Sequence, residues 1–78
     1  MIMELKDFIK NFANQFDDTE LSEFKEETIY KELDEWSSLI ALSIIAMIDE
    51  EYDITINGDD IRNSDTIKDL FNAVKAKA

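Results

Sequence analysis

Leu5, Phe8, Ile9, Phe12 and Phe16 recur at spacings of three and four, the repeat of one helix face, and predict an amphipathic helix from about Met3 to Phe16. Asp17-Asp18-Thr19 ends or interrupts it. From Thr19 to Asp34 the pattern weakens to five apolar anchors, Leu21, Phe24, Ile29, Tyr30 and Leu33, in an acidic stretch. This reads as a long loop with one short helical turn, pinned by its own side chains, because a loop of such length is uncommon otherwise. From Ser38 to about Tyr52 the chain is apolar over most of a helix circumference, with Ala41, Ile44, Ile45, Ile48 and Tyr52 as the core stripe. The remaining face mixes Leu39, Leu42, Ala46 and Met47 with Ser43, Asp49 and Glu50. An apolar patch rimmed by charge marks an interaction surface more often than a bare solvated face. Asp53-Ile54-Thr55-Ile56 follows as an extended link, and Asn57-Gly58 opens a brief helix over Asp59 to Arg62. Asn63-Ser64-Asp65 is expected to cap a last helix from Thr66 to about Ala76, with Ile67, Leu70, Phe71 and Val74 on one face. The fold class expected is all-α, a small four-helix bundle of three main helices and one short one in a single domain over residues 1–78.

Composition narrows the function. A chain of 78 residues carrying a net charge of −11 has a thin core and no basic stripe to neutralise phosphates, which excludes nucleic acid as a partner. Basic partner surfaces are favoured instead. Met1 to Lys10 is amphipathic where a secretory leader would be continuously apolar, and no segment is long enough to span a bilayer, so a cytoplasmic location is expected. The chain has no cysteine and no histidine, which removes disulfides, thiol catalysis and the usual zinc ligands. Any thiol chemistry must come from an attached group.

Trp36-Ser37-Ser38-Leu39 sits where the acidic segment gives way to the long apolar helix. The unpaired N–H groups and positive dipole of a helix N-terminus both favour a phosphate there, so a phosphorylated or phosphopantetheinylated serine suits the site. Ser37 is the natural cap, leaving Ser38 free to point outward at the first helical position. Trp36 is read as a packing anchor that fixes the loop, and Asp17-Asp18 and Glu26-Glu27 as solvated surface.

Ser-Leu opening an apolar helix that closes on Asp49-Glu50-Glu51-Tyr52-Asp53, followed by Ile54-Thr55-Ile56 and the acidic pair Asp59-Asp60, resembles the acyl and peptidyl carrier proteins. The match runs without a gap from Ser38 to Val74, and Leu5 to Phe16 fits the family's first helix. The resemblance implies an acyl-carrier-like bundle with 4′-phosphopantetheine on Ser38, attached from coenzyme A by a phosphopantetheinyl transferase. It implies a free-standing, monomeric phosphoprotein that is not an enzyme. The arm's thiol would hold an acyl or aminoacyl group as a thioester, as in fatty acid or polyketide biosynthesis, and present it to loading and transferring enzymes with basic surfaces. Leu39, Leu42, Asp49 and Glu50 match positions where the family meets its partners. Ala41, Ile48, Ile56 and Ile61 are the candidates for an acyl-chain lining, with Ser64 making its far end more polar. Three departures bear on partner choice: Ser37 stands where the family usually has aspartate, Ser43 where it has glutamate, and Ala46 where it has an exposed methionine.

Other classes fit less of the sequence. Asp53, Thr55, Asn57, Gly58 and Asp59 fall on the early ligand and turn positions of a calcium loop, but Ser64 stands where the bidentate glutamate belongs and Asp60 where an apolar residue belongs. The chain also lacks histidine, cysteine and a glycine-rich phosphate loop for catalysis. The main alternative is a carrier fold without its arm, acting as an unmodified helical protein-interaction module, a reading kept open by Ser37.

Overall fold

A computed structural model describes residues 3–78; the part of the leader reading that falls on residues 1 and 2 lies outside them. Four helices pack together, α1 (Leu5–Ala13), α2 (Ser38–Tyr52), α3 (Gly58–Asn63) and α4 (Ile67–Lys75), and the described residues contain no strand. The all-α bundle of three main helices and one short one is therefore present.

α1 is shorter than its apolar repeat. The regular helix stops at Ala13, and tighter turn bonds from the Gln15 and Phe16 N–H groups to the Phe12 and Ala13 carbonyls carry the chain on. Phe16 stays buried although it lies outside the helix, because those turns keep it on the same face. Phe8, Phe12, Phe16, Phe24 and Tyr30 form a chain of ring contacts, with Phe12 touching all four of the others at centroid distances of 5.4–6.4 Å. Tilted and edge-on pairs at these distances add to the burial energy.

The segment before α2 holds two 3₁₀ turns, Leu21–Glu23 and Tyr30–Glu32, where one was expected. Phe24 and Tyr30 pin it as expected, but Leu21 and Ile29 are 59% and 44% exposed. Ile29 bridges to Thr66 through its backbone, and in that extended pairing neighbouring side chains point to opposite sides, so burying Tyr30 turns Ile29 out. The buried Tyr30 hydroxyl reaches the Ile61 and Ser64 carbonyls at 2.6 and 2.8 Å, fastening the loop to the end of α3. Burial raises the phenol pKa above its ordinary value, with the Asp65 charge adding to the effect.

α2 begins and ends where the sequence places it. Its core line is Ile44, Met47 and Ile48, so Met47, expected on the mixed face, is buried. Ala41, Ile45 and Tyr52, expected in the core, are only partly covered. The stripe has rotated because α2 shows one flank to a cleft against α3. Asp53 ends α2 in the left-handed region at φ 55°, tolerable for Asp, and the extended link follows.

α3 is capped by Asn57, whose side chain accepts the Asp60 N–H while the Asp60 carboxylate accepts the Asn57 N–H. α4 starts later than expected, and its cap is Thr66, not the Asn63-Ser64-Asp65 run: the Thr66 hydroxyl accepts the Asp69 N–H and Asp69 accepts the Thr66 N–H. Thr66-x-x-Asp69 is a reciprocal capping pattern that outcompetes the upstream polar run, and Ser64 is instead buried.

Candidate functional site

Ser37 has extended backbone at φ −157°, and its hydroxyl accepts the Ile40 N–H at 3.3 Å while its carbonyl accepts the Ala41 N–H. Ser37 thus does the capping. Ser38, the first residue of α2, is exposed, and its hydroxyl has no hydrogen-bond partner among the described residues. The Ser38 and Leu39 N–H groups are likewise without an intramolecular acceptor there, and no acidic residue in the first turn offsets the positive helix end.

Beside Ser38 lies an open cleft of about 620 Å³ between α2 and α3. Trp36, Ala41, Leu42, Ile45 and Ile61 make its apolar walls, and Lys31 and Arg62 stand along it. Trp36 is held by ring contacts, tilted against Tyr30 at 5.0 Å and stacked on Phe16 at 6.4 Å between ring centres. Of the four proposed lining residues the structure brings Ala41 and Ile61 to the cleft. Ile48 and Ile56 are buried at 0% and 3% exposure in the core cluster and do not line it.

The proposed docking residues share one face. At 100° per residue, positions 39, 42, 46, 49 and 50 fall within about 100° of one another. Leu39 and Leu42 are 75% and 62% exposed, and Asp49 and Glu50 are exposed too. Three acidic residues, Asp49, Glu50 and Glu51, occupy the last turn of α2 with no basic residue among them. They oppose the helix dipole, so their placement does not serve the helix itself.

Two of the calcium-like residues, Asp53 and Asn57, serve helix ends, and Asp59 pairs with Arg62. Asp53 terminates α2, Asn57 and Asp60 form the cap of α3, and Asp60 also meets Lys77 at 3.1 Å. Among the described residues no group of three or more acidic side chains is arranged to hold a metal ion.

Sequence reasoning missed Glu35, which binds the end of the α1 segment: its carboxylate accepts the Asp17 and Asp18 N–H groups at 2.7 and 3.0 Å and the Thr19 hydroxyl at 2.7 Å. Nothing in the local pattern marks a carboxylate for partners so far back in the chain. The Thr19 hydroxyl, and next the Asp17 N–H, hold its pKa below the ordinary value. Asp60 is lowered by the Asn57 N–H and then by Lys77, and Asp69 by the Thr66 N–H. A carboxylate depressed by folding stabilises the fold above its unfolded pKa of about 4 and loses that contribution as pH falls through the folded value. Glu35→Gln is therefore expected to lower the thermal midpoint at pH 6, with the gap to wild type closing as the pH is taken from 5 to 2. Circular dichroism melts measure it; a gap unchanged at pH 2 contradicts the charge-assisted clamp.

A comparison of the chain with protein-family models, with curated proteins and with solved structures finds no match.

Proposed function

We propose that this chain is a carrier protein, bearing 4′-phosphopantetheine on Ser38 and presenting an acyl or aminoacyl group to partner enzymes. The observation that carries the reading is the division of labour at the start of α2. Ser37 satisfies the cap, so the Ser38 hydroxyl is left exposed and uncommitted, next to free N–H groups and at the edge of an apolar cleft.

That donor set fits a phosphodiester. The Ser38 oxygen makes the ester, the Ser38 and Leu39 N–H groups and the helix dipole favour its negative charge, and the cleft walls receive an apolar chain. When bound, the group supplies a thiol, and with it thioester chemistry, to a chain that has no cysteine. The protein's own part is to orient and to dock. Leu39 and Leu42 offer apolar contact, and Asp49 and Glu50 steer basic enzymes toward the same face.

Intact-mass measurement after incubation with coenzyme A and a broad-specificity phosphopantetheinyl transferase tests the reading. One arm per chain is expected. No addition with several transferases would overturn it in favour of an unmodified interaction module working through the Leu39–Glu50 face.

A further inference from the structure

Carboxylates make up 19 of the 78 residues, yet among the described residues none lines the cleft beside Ser38, whereas two of the eight cations, Lys31 and Arg62, do. In a chain of net charge −11 this is a local inversion of sign. We propose that the cleft selects short acyl groups that end in a carboxylate, with the carbon chain against Trp36, Ala41, Ile45 and Ile61 and the carboxylate against Lys31 and Arg62. The proposal rests on the carrier reading only for how such a group is delivered; the selectivity belongs to the cleft.

Both cations are positioned and available. The Lys31 ammonium donates to the Arg62 carbonyl at 2.7 Å and stands 5.8 Å from the centre of the Tyr30 ring. That hydrogen bond uses one of its three hydrogens, and no carboxylate pairs with it among the described residues. The Arg62 guanidinium folds back along α3, close to Gly58, and pairs with Asp59. The side chains of that pair are 72% and 71% exposed, so it is a weak, water-screened contact, and the planar fork of Arg62 keeps donors for a second carboxylate.

The apolar floor gives a short acyl chain a wall to lie against. From Ser38 to Ile45 the helix rises about 10 Å at 1.5 Å per residue. The Tyr30 hydroxyl, bonded to the carbonyls of Ile61 and Ser64, ties down the end of α3 behind Ile61. A five-carbon dicarboxylic chain fits that span, and its neutral counterpart would offer nothing to the donors that Lys31 and Arg62 keep free.

The test uses the unmodified protein and two ligands that differ in the terminal group, glutaryl-pantetheine and pentanoyl-pantetheine. Trp36 is the sole tryptophan and lies in the cleft wall, so its fluorescence reports occupancy. At low ionic strength glutaryl-pantetheine is expected to bind on the order of fivefold more tightly, the yield of a partly exposed ion pair. Arg62→Gln, which leaves Lys31 on the residue-62 carbonyl, should remove most of the preference. Adding Lys31→Gln should reverse it, because the remaining charge of the chain repels the anion; Lys68→Gln, away from the cleft, should leave it intact. Circular dichroism confirms that each variant is folded. Equal binding, tighter binding of the neutral ligand to wild type, or no binding of either overturns the proposal. Glutaryl preference in a protein that no transferase modifies would sink the carrier reading and uphold the cleft's selectivity; arm addition without the preference would do the reverse.

Discussion

Ser38→Ala is expected to abolish arm addition completely, while Ser37→Ala keeps it. The two serines are neighbours of the same type, so composition and charge are unchanged between the variants, and only position separates them. The Ser37 hydroxyl is engaged by the Ile40 N–H, and its loss should destabilise the protein by about 1 kcal/mol, the usual cost of removing a serine cap. Ser38 has no such bond, and its removal should leave stability within about 0.5 kcal/mol. Intact mass reads the first difference and urea unfolding the second. Addition that persists in Ser38→Ala, or disappears in Ser37→Ala while the protein remains folded, would show that the assignment within the pair is wrong.

Phe12→Ala carries the largest expected loss of stability. Phe12 is fully buried and its ring meets Phe8, Phe16, Phe24 and Tyr30, so truncation opens a hole at the point where α1 and the long loop join. Removing a buried phenylalanine costs about 3–5 kcal/mol. A domain of this length has about 4–12 kcal/mol in total, at 0.05–0.15 kcal/mol per residue. The variant should therefore be partly unfolded at room temperature, or unfold at a much lower urea midpoint. Leu39→Ala, on an exposed leucine, is the control and should change stability by less than about 0.5 kcal/mol. A Phe12→Ala loss below about 1.5 kcal/mol would mean that the ring cluster can collapse around the hole.

The parts of this fold that a strong period governs were legible in the chain. α2 begins and ends at the expected residues because Ser37 supplies a cap and Asp53 stops the apolar run. The core face of α4 holds Ile67, Leu70, Phe71 and Val74 as expected. What was not legible depends on partners far away in sequence. The rotation that buries Met47 and uncovers Ala41 and Ile45 is set by where α3 lies, and no spacing within α2 encodes that. Likewise Leu21 and Phe24 look alike as anchors, yet only the ring cluster decides that Phe24 enters the core. At the candidate site, the exposed Ser38 and the shared face of Leu39, Leu42, Asp49 and Glu50 follow from helix geometry. Lys31 and Arg62 do not, since they meet at the cleft only after the second 3₁₀ turn docks on α3.

The start of α4 and the start of α2 differ in one respect that shapes how the molecule opens. At α4 the Ile67 and Lys68 N–H groups donate to the Thr28 and Glu26 carbonyls of the long loop, and the Asp69 N–H to Thr66. The loop therefore acts as the missing preceding turn of that helix. Undocking residues 26–28 strips two first-turn bonds from α4, so loop and helix end must open and close as one cooperative unit. The first-turn N–H groups of α2 at Ser38 and Leu39 belong to no such unit, since neither donates to a carbonyl of the loop. In exchange terms the start of α4 is guarded by remote sequence, whereas the start of α2 has no such guard, and it carries the serine whose hydroxyl is unbonded among the described residues.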